Sequence, residues 1–185
     1  VGCPGYGQES WALSRMYREG RFGKDPEDCV AWAASIFYAV DRYASYMTDW
    51  GEYYRSGGVV LSDRYTTSNA VHQGAKLSEA EQPAFFDWLY DLEDGKLGLP
   101  RPDLVIYLDV DLETSLARMR HRQEKTGKDG DIHEKDAAYL AKCIATGSRA
   151  ADHYGWKRVD FKKNGQIREL DEKHEEIFAD GRAAL

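Results

Sequence analysis

An acid and an arginine, Asp63-Arg64, stand where a short apolar stretch ends and a polar helix is about to start. The stretch is Val59-Val60-Leu61, preceded by the glycine pair Gly57-Gly58 and followed by Tyr65-Thr66-Thr67-Ser68-Asn69-Ala70-Val71-His72-Gln73. In open α/β sheets the carboxyl ends of strands are where ligands bind. An Asp-Arg pair at such a place supplies two tools. The carboxylate can hold Mg²⁺ or its waters, and the guanidinium can grip a phosphate with two parallel bonds.

The rest of the chain reads as alternating elements. Helices are expected over 10–19 with Ser10 as N-cap, over 30–56 with a break near Trp50-Gly51, and over 68–76, 79–92, 112–122, 131–154 and 171–179. Strands are expected at Val59–Leu61, at Leu104–Val110 and at Arg158–Phe161. The continuous apolar character of Leu104–Val110 suits a parallel sheet covered on both faces. The fold class expected is therefore α/β, a mostly parallel sheet flanked by helices. Nothing along the 185 residues marks a second domain, so residues 1–185 are read as one domain.

Composition narrows the function classes. A net charge of −7 argues against a nucleic-acid coat and against a polybasic membrane contact. No apolar run approaches the roughly 20 residues of a membrane helix. Cys3, Cys29 and Cys143 are far apart and odd in number. They offer no metal spacing and no disulfide framework, which suits a cytoplasmic protein.

Several clusters carry binding chemistry. Tyr38 and Arg42 are i and i+4 on a helix and share a face. A flat base can stack on the Tyr38 ring while Arg42 donates to a carbonyl, or the two are a core aromatic and a solvated arginine. Asn69, His72 and Gln73 lie on one face of the helix after Asp63-Arg64-Tyr65. Asn69 has both a donor and an acceptor, which suits a pyrimidine edge, and Ser68 can support it. Arg118, Arg120, Arg122, Lys125 and Lys128 form a cation-rich stretch. These are candidates to neutralise a transferred phosphoryl group, or solvated surface charge. Asp131 and Glu134 are i and i+3 at a helix start, where capping is the competing reading.

Five segments in order resemble the thymidylate kinases of the P-loop nucleoside-monophosphate kinase group. They are Cys3-Pro4-Gly5-Tyr6-Gly7-Gln8, Ile36–Arg42, Asp63–Gln73, Pro102–Val110 and Asp131-Ile132-His133-Glu134. The resemblance implies a three-layer P-loop NTPase-like fold with a lid at about residues 121–134. It implies transfer of the γ-phosphoryl of ATP to dTMP with Mg²⁺, in a cytoplasmic homodimer that binds no nucleic acid or membrane. It assigns Asp63, Arg64 and Arg122 to catalysis, with Asp63 toward the metal. Tyr6 and Arg64 would hold the monophosphate, and Tyr38, Arg42, Ser68, Asn69 and Gln73 the base. His72, where the family usually has Tyr, would face the sugar. Asp131 and Glu134 would approach the nucleotide on lid closure, with Arg118, Arg120, Lys125 and Lys128 as lid cations.

One element of the family is missing from these residues. No Gly-x-x-x-x-Gly-Lys-Ser/Thr cradle for donor phosphates is present, and the chain opens on Val1. The expectation is that the first strand, the P-loop and the first helix lie upstream, so that the 185 residues alone are inactive. Two alternatives stand beside the kinase: a non-catalytic thymidylate-binding or pseudokinase module, and a related deoxynucleoside kinase.

Overall fold

The computed structural model describes residues 1–2, 9–126 and 137–185. It is a mixed α/β protein, mostly helical, with a small parallel sheet.

A 3₁₀ turn at Glu9–Trp11 leads into α1, Ala12–Arg18. That turn moves the cap position from the expected Ser10 to Trp11, which makes no side-chain cap. Ser10 instead donates its hydroxyl to Asp41 Oδ1 at 2.7 Å, tying the entry of α1 to the next helix. The long helix appears as α2, Ala31–Ser45, and α3, Gly51–Arg55, joined by a π turn at Tyr46–Trp50. The break falls at the expected Trp50-Gly51. A Cβ on Gly51 would lie 2.3 Å from the Tyr46 carbonyl oxygen, so the widened turn needs glycine there.

Helix α4, Thr66–Gly74, is the central packing element and lies against α2, α5 (Gln82–Tyr90) and α7 (Ala137–Tyr154). The main core gathers Ala31, Ala70, Phe85, Phe86, Leu89, Ala150, Ala151 and Trp156. Burial of side chains such as Phe85, Phe86 and Leu89 contributes about 1.5–3 kcal/mol each. A π turn, Asp91–Lys96, extends α5 and carries the chain toward the sheet.

Strand β1, Ile106–Asp109, pairs in parallel with β2, Lys157–Asp160, with Ile106 beside Lys157 and Asp109 beside Asp160. Parallel strands need a crossover, and α6 (Leu112–Thr126) with α7 supplies it. Asp111 caps α6: its Oδ1 accepts from the Thr114 amide at 2.9 Å. That bond, with Lys162 3.0 Å away, holds the carboxyl at about 2. A short hairpin follows, β3 (Lys162–Lys163) with β4 (Gln166–Ile167), and α8, Leu170–Ala183, ends the chain.

Val59–Leu61 departs from expectation. It is extended but not a buried strand: Leu61 is 82% exposed and Val59 52%. Among the described residues its end meets Val1, whose N donates to Leu61 O at 2.7 Å, and the pairing continues past it through Asp63 N to Val1 O at 2.8 Å and the Gly2–Asp63 bridge. A strand requires a neighbour along its length, and among the described residues this segment has one at a single end.

Candidate functional site

The turn after Leu61 is built to present Arg64. Arg64 has φ 68°, a left-handed conformation that a non-glycine residue adopts at a cost. Both flanks hold it. Ser62 Oγ donates to the Arg64 carbonyl at 2.6 Å. Tyr65 is buried, donates its hydroxyl to the Pro100 carbonyl at 3.1 Å, and packs its ring edge-on to Trp50. Asp63 and Arg64 themselves are exposed, and no ion pair joins them. The turn therefore leaves an acid and a guanidinium at the surface at the start of α4.

Behind the turn lies a buried polar constellation. Arg42 is 3% exposed and Glu93 1%. Arg42 Nε donates to Glu93 Oε2 at 2.6 Å, and Arg42 Nη2 donates to Glu93 Oε1. Thr66 Oγ1 donates to Glu93 Oε2 at 2.7 Å. Asn69 Nδ2 donates to the Ser35 carbonyl at 3.1 Å and reaches Glu93 Oε1 at 3.5 Å. Arg42 and Asn69, expected to serve one base, are thus joined through a single carboxylate. Glu93 escaped the sequence reading because it sits in the π turn after α5, where helical periodicity no longer assigns a face. The only available signal was a buried arginine needing a counter-charge.

The other sequence candidates divide. Tyr38 is half-buried and meets Tyr17 edge-on, with centroids 6.3 Å apart. Gln73 is 1% exposed, and its Oε1 has no partner among the described residues. Ser68 is half-buried on the same helix. His72 is held by α7: its Nδ1 lies 3.6 Å from Cys143 Sγ, and its carbonyl accepts from the Tyr139 hydroxyl. Burial pushes the Cys143 thiol up to about 12 and raises the Tyr139 hydroxyl well above its ordinary value. Both therefore stay protonated beside His72.

One further group adjoins this region. Lys76, one turn past His72, donates to the Cys29 carbonyl at 2.6 Å, and its ammonium lies 4.7 Å from the Tyr17 ring centre. Burial lowers its pKa to about 8.

The cation-rich stretch is helical as far as Thr126. Arg118 places its guanidinium 4.4 Å from the Phe161 ring centre. Arg120, Arg122 and Lys125 are exposed along the same helix. Tyr6, Lys128, Asp131 and Glu134 lie outside the described residues.

No group of three or more His, Cys, Asp or Glu side chains converges among the described residues. A dehydration-resistant ion such as Mg²⁺ needs only one or two carboxylates when phosphates complete its shell, and the exposed Asp63 carboxylate fits that use.

Comparison with known proteins bears on the whole arrangement. Residues 24–173 match the thymidylate kinase family. The chain is 36% identical over 107 residues to the thymidylate kinase of Mycobacterium tuberculosis (strain ATCC 25618 / H37Rv), a match covering 57% of this chain and 50% of that protein. It is 28% identical over 149 residues to the thymidylate kinase of Cyanothece sp. (strain PCC 7425), covering 80% and 62%. With the thymidylate kinase of Thermosynechococcus vestitus it shares 29% over 131 residues, covering 69% and 50%. The chain thus spans about half to three-fifths of the length of these relatives. The match over 24–173 takes in the Arg64 turn, α4 and the Arg42–Glu93 constellation, and the chain belongs to the thymidylate kinase family.

Proposed function

We propose that this chain supplies the acceptor half of a thymidylate kinase, which transfers the γ-phosphoryl of ATP to dTMP to give dTDP. The observation that carries the reading is the Arg64 turn. A non-glycine residue is kept at φ 68°, braced by Ser62 and Tyr65, so that an exposed guanidinium stands beside Asp63 at the start of α4. Strain of this kind is retained where a surrounding structure has a use for it.

In this reading Arg64, with Tyr6, grips the monophosphate. Tyr38 stacks on thymine, Arg42 donates to a base carbonyl, and Asn69 offers its amide oxygen to the ring N–H, with Ser68 and Gln73 in support. His72 faces the sugar. Asp63 and the phosphates hold Mg²⁺, which neutralises charge on the transferred group. The acceptor phosphate is already an oxyanion, so no strong general base is required. Arg122 adds charge neutralisation, with Arg118, Arg120, Lys125 and Lys128, and Asp131 and Glu134 close on the nucleotide. The whole forms one three-layer, P-loop NTPase-like domain with a lid at about 121–134. The 185 residues contain no Gly-x-x-x-x-Gly-Lys-Ser/Thr cradle for ATP, so this half binds acceptor and leaves donor binding to other residues.

Two further features support the family's assembly and setting. Trp32, Ile36, Val40, Tyr43 and Met47 are each 39–53% exposed and recur every three or four residues along α2 and its π turn. Such a stripe suits a helix-to-helix homodimer. Cys29 and Cys143 are free thiols in the interior, in keeping with the cytoplasm. No described helix is long and apolar enough to cross a membrane.

The test is calorimetric titration of the chain with dTMP and with thymidine. dTMP should bind more tightly, and Arg64→Ala should cost dTMP roughly 10- to 100-fold while leaving thymidine nearly unchanged. Equal losses for both ligands would make Arg64 a structural residue and remove the main support for the reading.

A further inference from the structure

Asn164 and Gly165 form the two-residue turn between β3 and β4. The chain has two asparagines, Asn69 and Asn164, and they stand in opposite surroundings. Asn69 is 2% exposed within α4, and its amide nitrogen donates to the Ser35 carbonyl. Asn164 is exposed, and neither its side chain nor the Gly165 amide takes part in a hydrogen bond among the described residues. A Cβ on Gly165 would meet nothing within 4 Å, so the space around this amide is open.

The sequence Asn-Gly carries chemistry of its own. The main-chain nitrogen after an asparagine can close a five-membered ring on the side-chain carbonyl carbon, and only glycine leaves that nitrogen unshielded by a side chain. In the folded turn Asn164 and Gly165 have φ 52° and 79°, and ring closure requires that geometry to relax. Little resists this. Each strand has two residues, pairing Lys162 with Ile167 and Lys163 with Gln166, and a lone two-stranded ribbon is marginal in water. Such a segment opens at far lower free energy than the whole protein. Helix α8 does not rely on the turn: Arg168 bonds the Asp160 carbonyl and pairs with Glu172 and Glu176, and the Lys173 ammonium lies 4.0 Å from the Phe161 ring centre.

We propose that Asn164 is a self-modifying site, converted in the folded protein to aspartate and isoaspartate through a cyclic imide with Gly165. The Gly165 amide gives its proton to a solvent base, and its nitrogen forms a bond to Asn164 Cγ. The Cγ–Nδ2 bond breaks, and that nitrogen leaves as ammonia. Water then opens the imide. Attack at Cγ gives aspartate, and attack at the main-chain carbonyl gives isoaspartate, in which the backbone runs through the side-chain carbon. Both products add a negative charge beside Lys163. Isoaspartate also lengthens the backbone inside the turn and so disrupts the pairing of Lys163 with Gln166. None of this chemistry depends on the kinase activity.

The purified chain is incubated for weeks at mildly alkaline pH, folded in buffer and unfolded in guanidinium chloride. Conversion is followed by ion exchange and by peptide mapping. In the folded chain Asn164 should convert at a rate within about tenfold of the unfolded chain, as opening of a marginal hairpin requires. Isoaspartate should be among the products, and Asn69 should stay intact in the folded chain. Gly165→Ala should slow conversion at least roughly tenfold, because the added methyl shields the nitrogen. A folded chain that keeps Asn164 while the unfolded chain loses it would mean that the turn protects the amide, which overturns the proposal. Conversion at the parent rate in Gly165→Ala rules out the imide route and overturns it as well, as does an amide that survives in both states.

Discussion

Lys76 and Tyr17 form a cation–π contact, with the ammonium 4.7 Å from the ring centre and one of its hydrogens given to the Cys29 carbonyl at 2.6 Å. The contact ties the segment just past α4 to α1 and to the loop before α2. It also creates a pH dependence. Burial lowers the lysine to about 8 from its ordinary 10.5. Between those values the unfolded chain holds the proton that the folded chain has lost, so stability rises with pH across the window. Below about 8 both states are protonated, and the full desolvation cost is present. The difference in unfolding free energy between the parent and Lys76→Met should therefore shift in favour of the parent by roughly 1–3 kcal/mol from pH 8 to pH 10.5, allowing for partial solvent screening. Denaturant titrations at pH 7, 8, 9 and 10 give this difference directly, and a flat one would place the lysine in solvent.

Arg64 separates stability from binding. At φ 68° a glycine is relaxed and an alanine strained. Arg64→Gly should be more stable than Arg64→Ala by about 1 kcal/mol. Both should lose affinity for dTMP to the same extent, because both lack the guanidinium. If Arg64→Gly is the less stable of the two, the left-handed turn is not an intrinsic feature of this backbone.

The Arg42–Glu93 pair should behave as a unit. Removing one partner leaves an uncompensated buried charge, at a cost of about 3–5 kcal/mol. Arg42→Met and Glu93→Leu singly should each destabilise on that scale, and the double variant should cost clearly less than their sum. Additive losses in urea unfolding would show that the two side chains act independently.

The hairpin turn gives a local control remote from the site. Asn164 and Gly165 have φ 52° and 79°, as a type I′ turn requires. Gly165→Ala should cost about 1 kcal/mol, and Asn164→Gly should be near neutral. Neither should change dTMP affinity.

Legibility in the sequence followed the range of the interaction. The break in the long helix was readable at Trp50-Gly51, where a side chain would strike the Tyr46 carbonyl. The parallel strand Ile106–Asp109 announced itself as an unbroken apolar run. The hairpin was equally available in Asn164-Gly165, a two-residue turn signal, and went unread because its strands are only two residues each. Ser10 misled because a serine before an apolar periodic stretch looks like a cap whether or not a 3₁₀ turn intervenes.

The positions of Tyr38, Arg42, Asn69, His72 and the Asp63-Arg64 turn on their elements came from local rules: helical spacing, a glycine pair, a polar helix start. Those rules act within a few residues, and a linear chain displays them openly. The tertiary structure decided what each of those side chains meets. It placed Glu93, 51 residues beyond Arg42, against the guanidinium. It set Cys143, 71 residues beyond His72, against the imidazole. It left Val59–Leu61 exposed and, among the described residues, without a strand along its length. Buried charges and β pairing are satisfied by whatever the folded chain brings near, and that proximity has no period in the sequence.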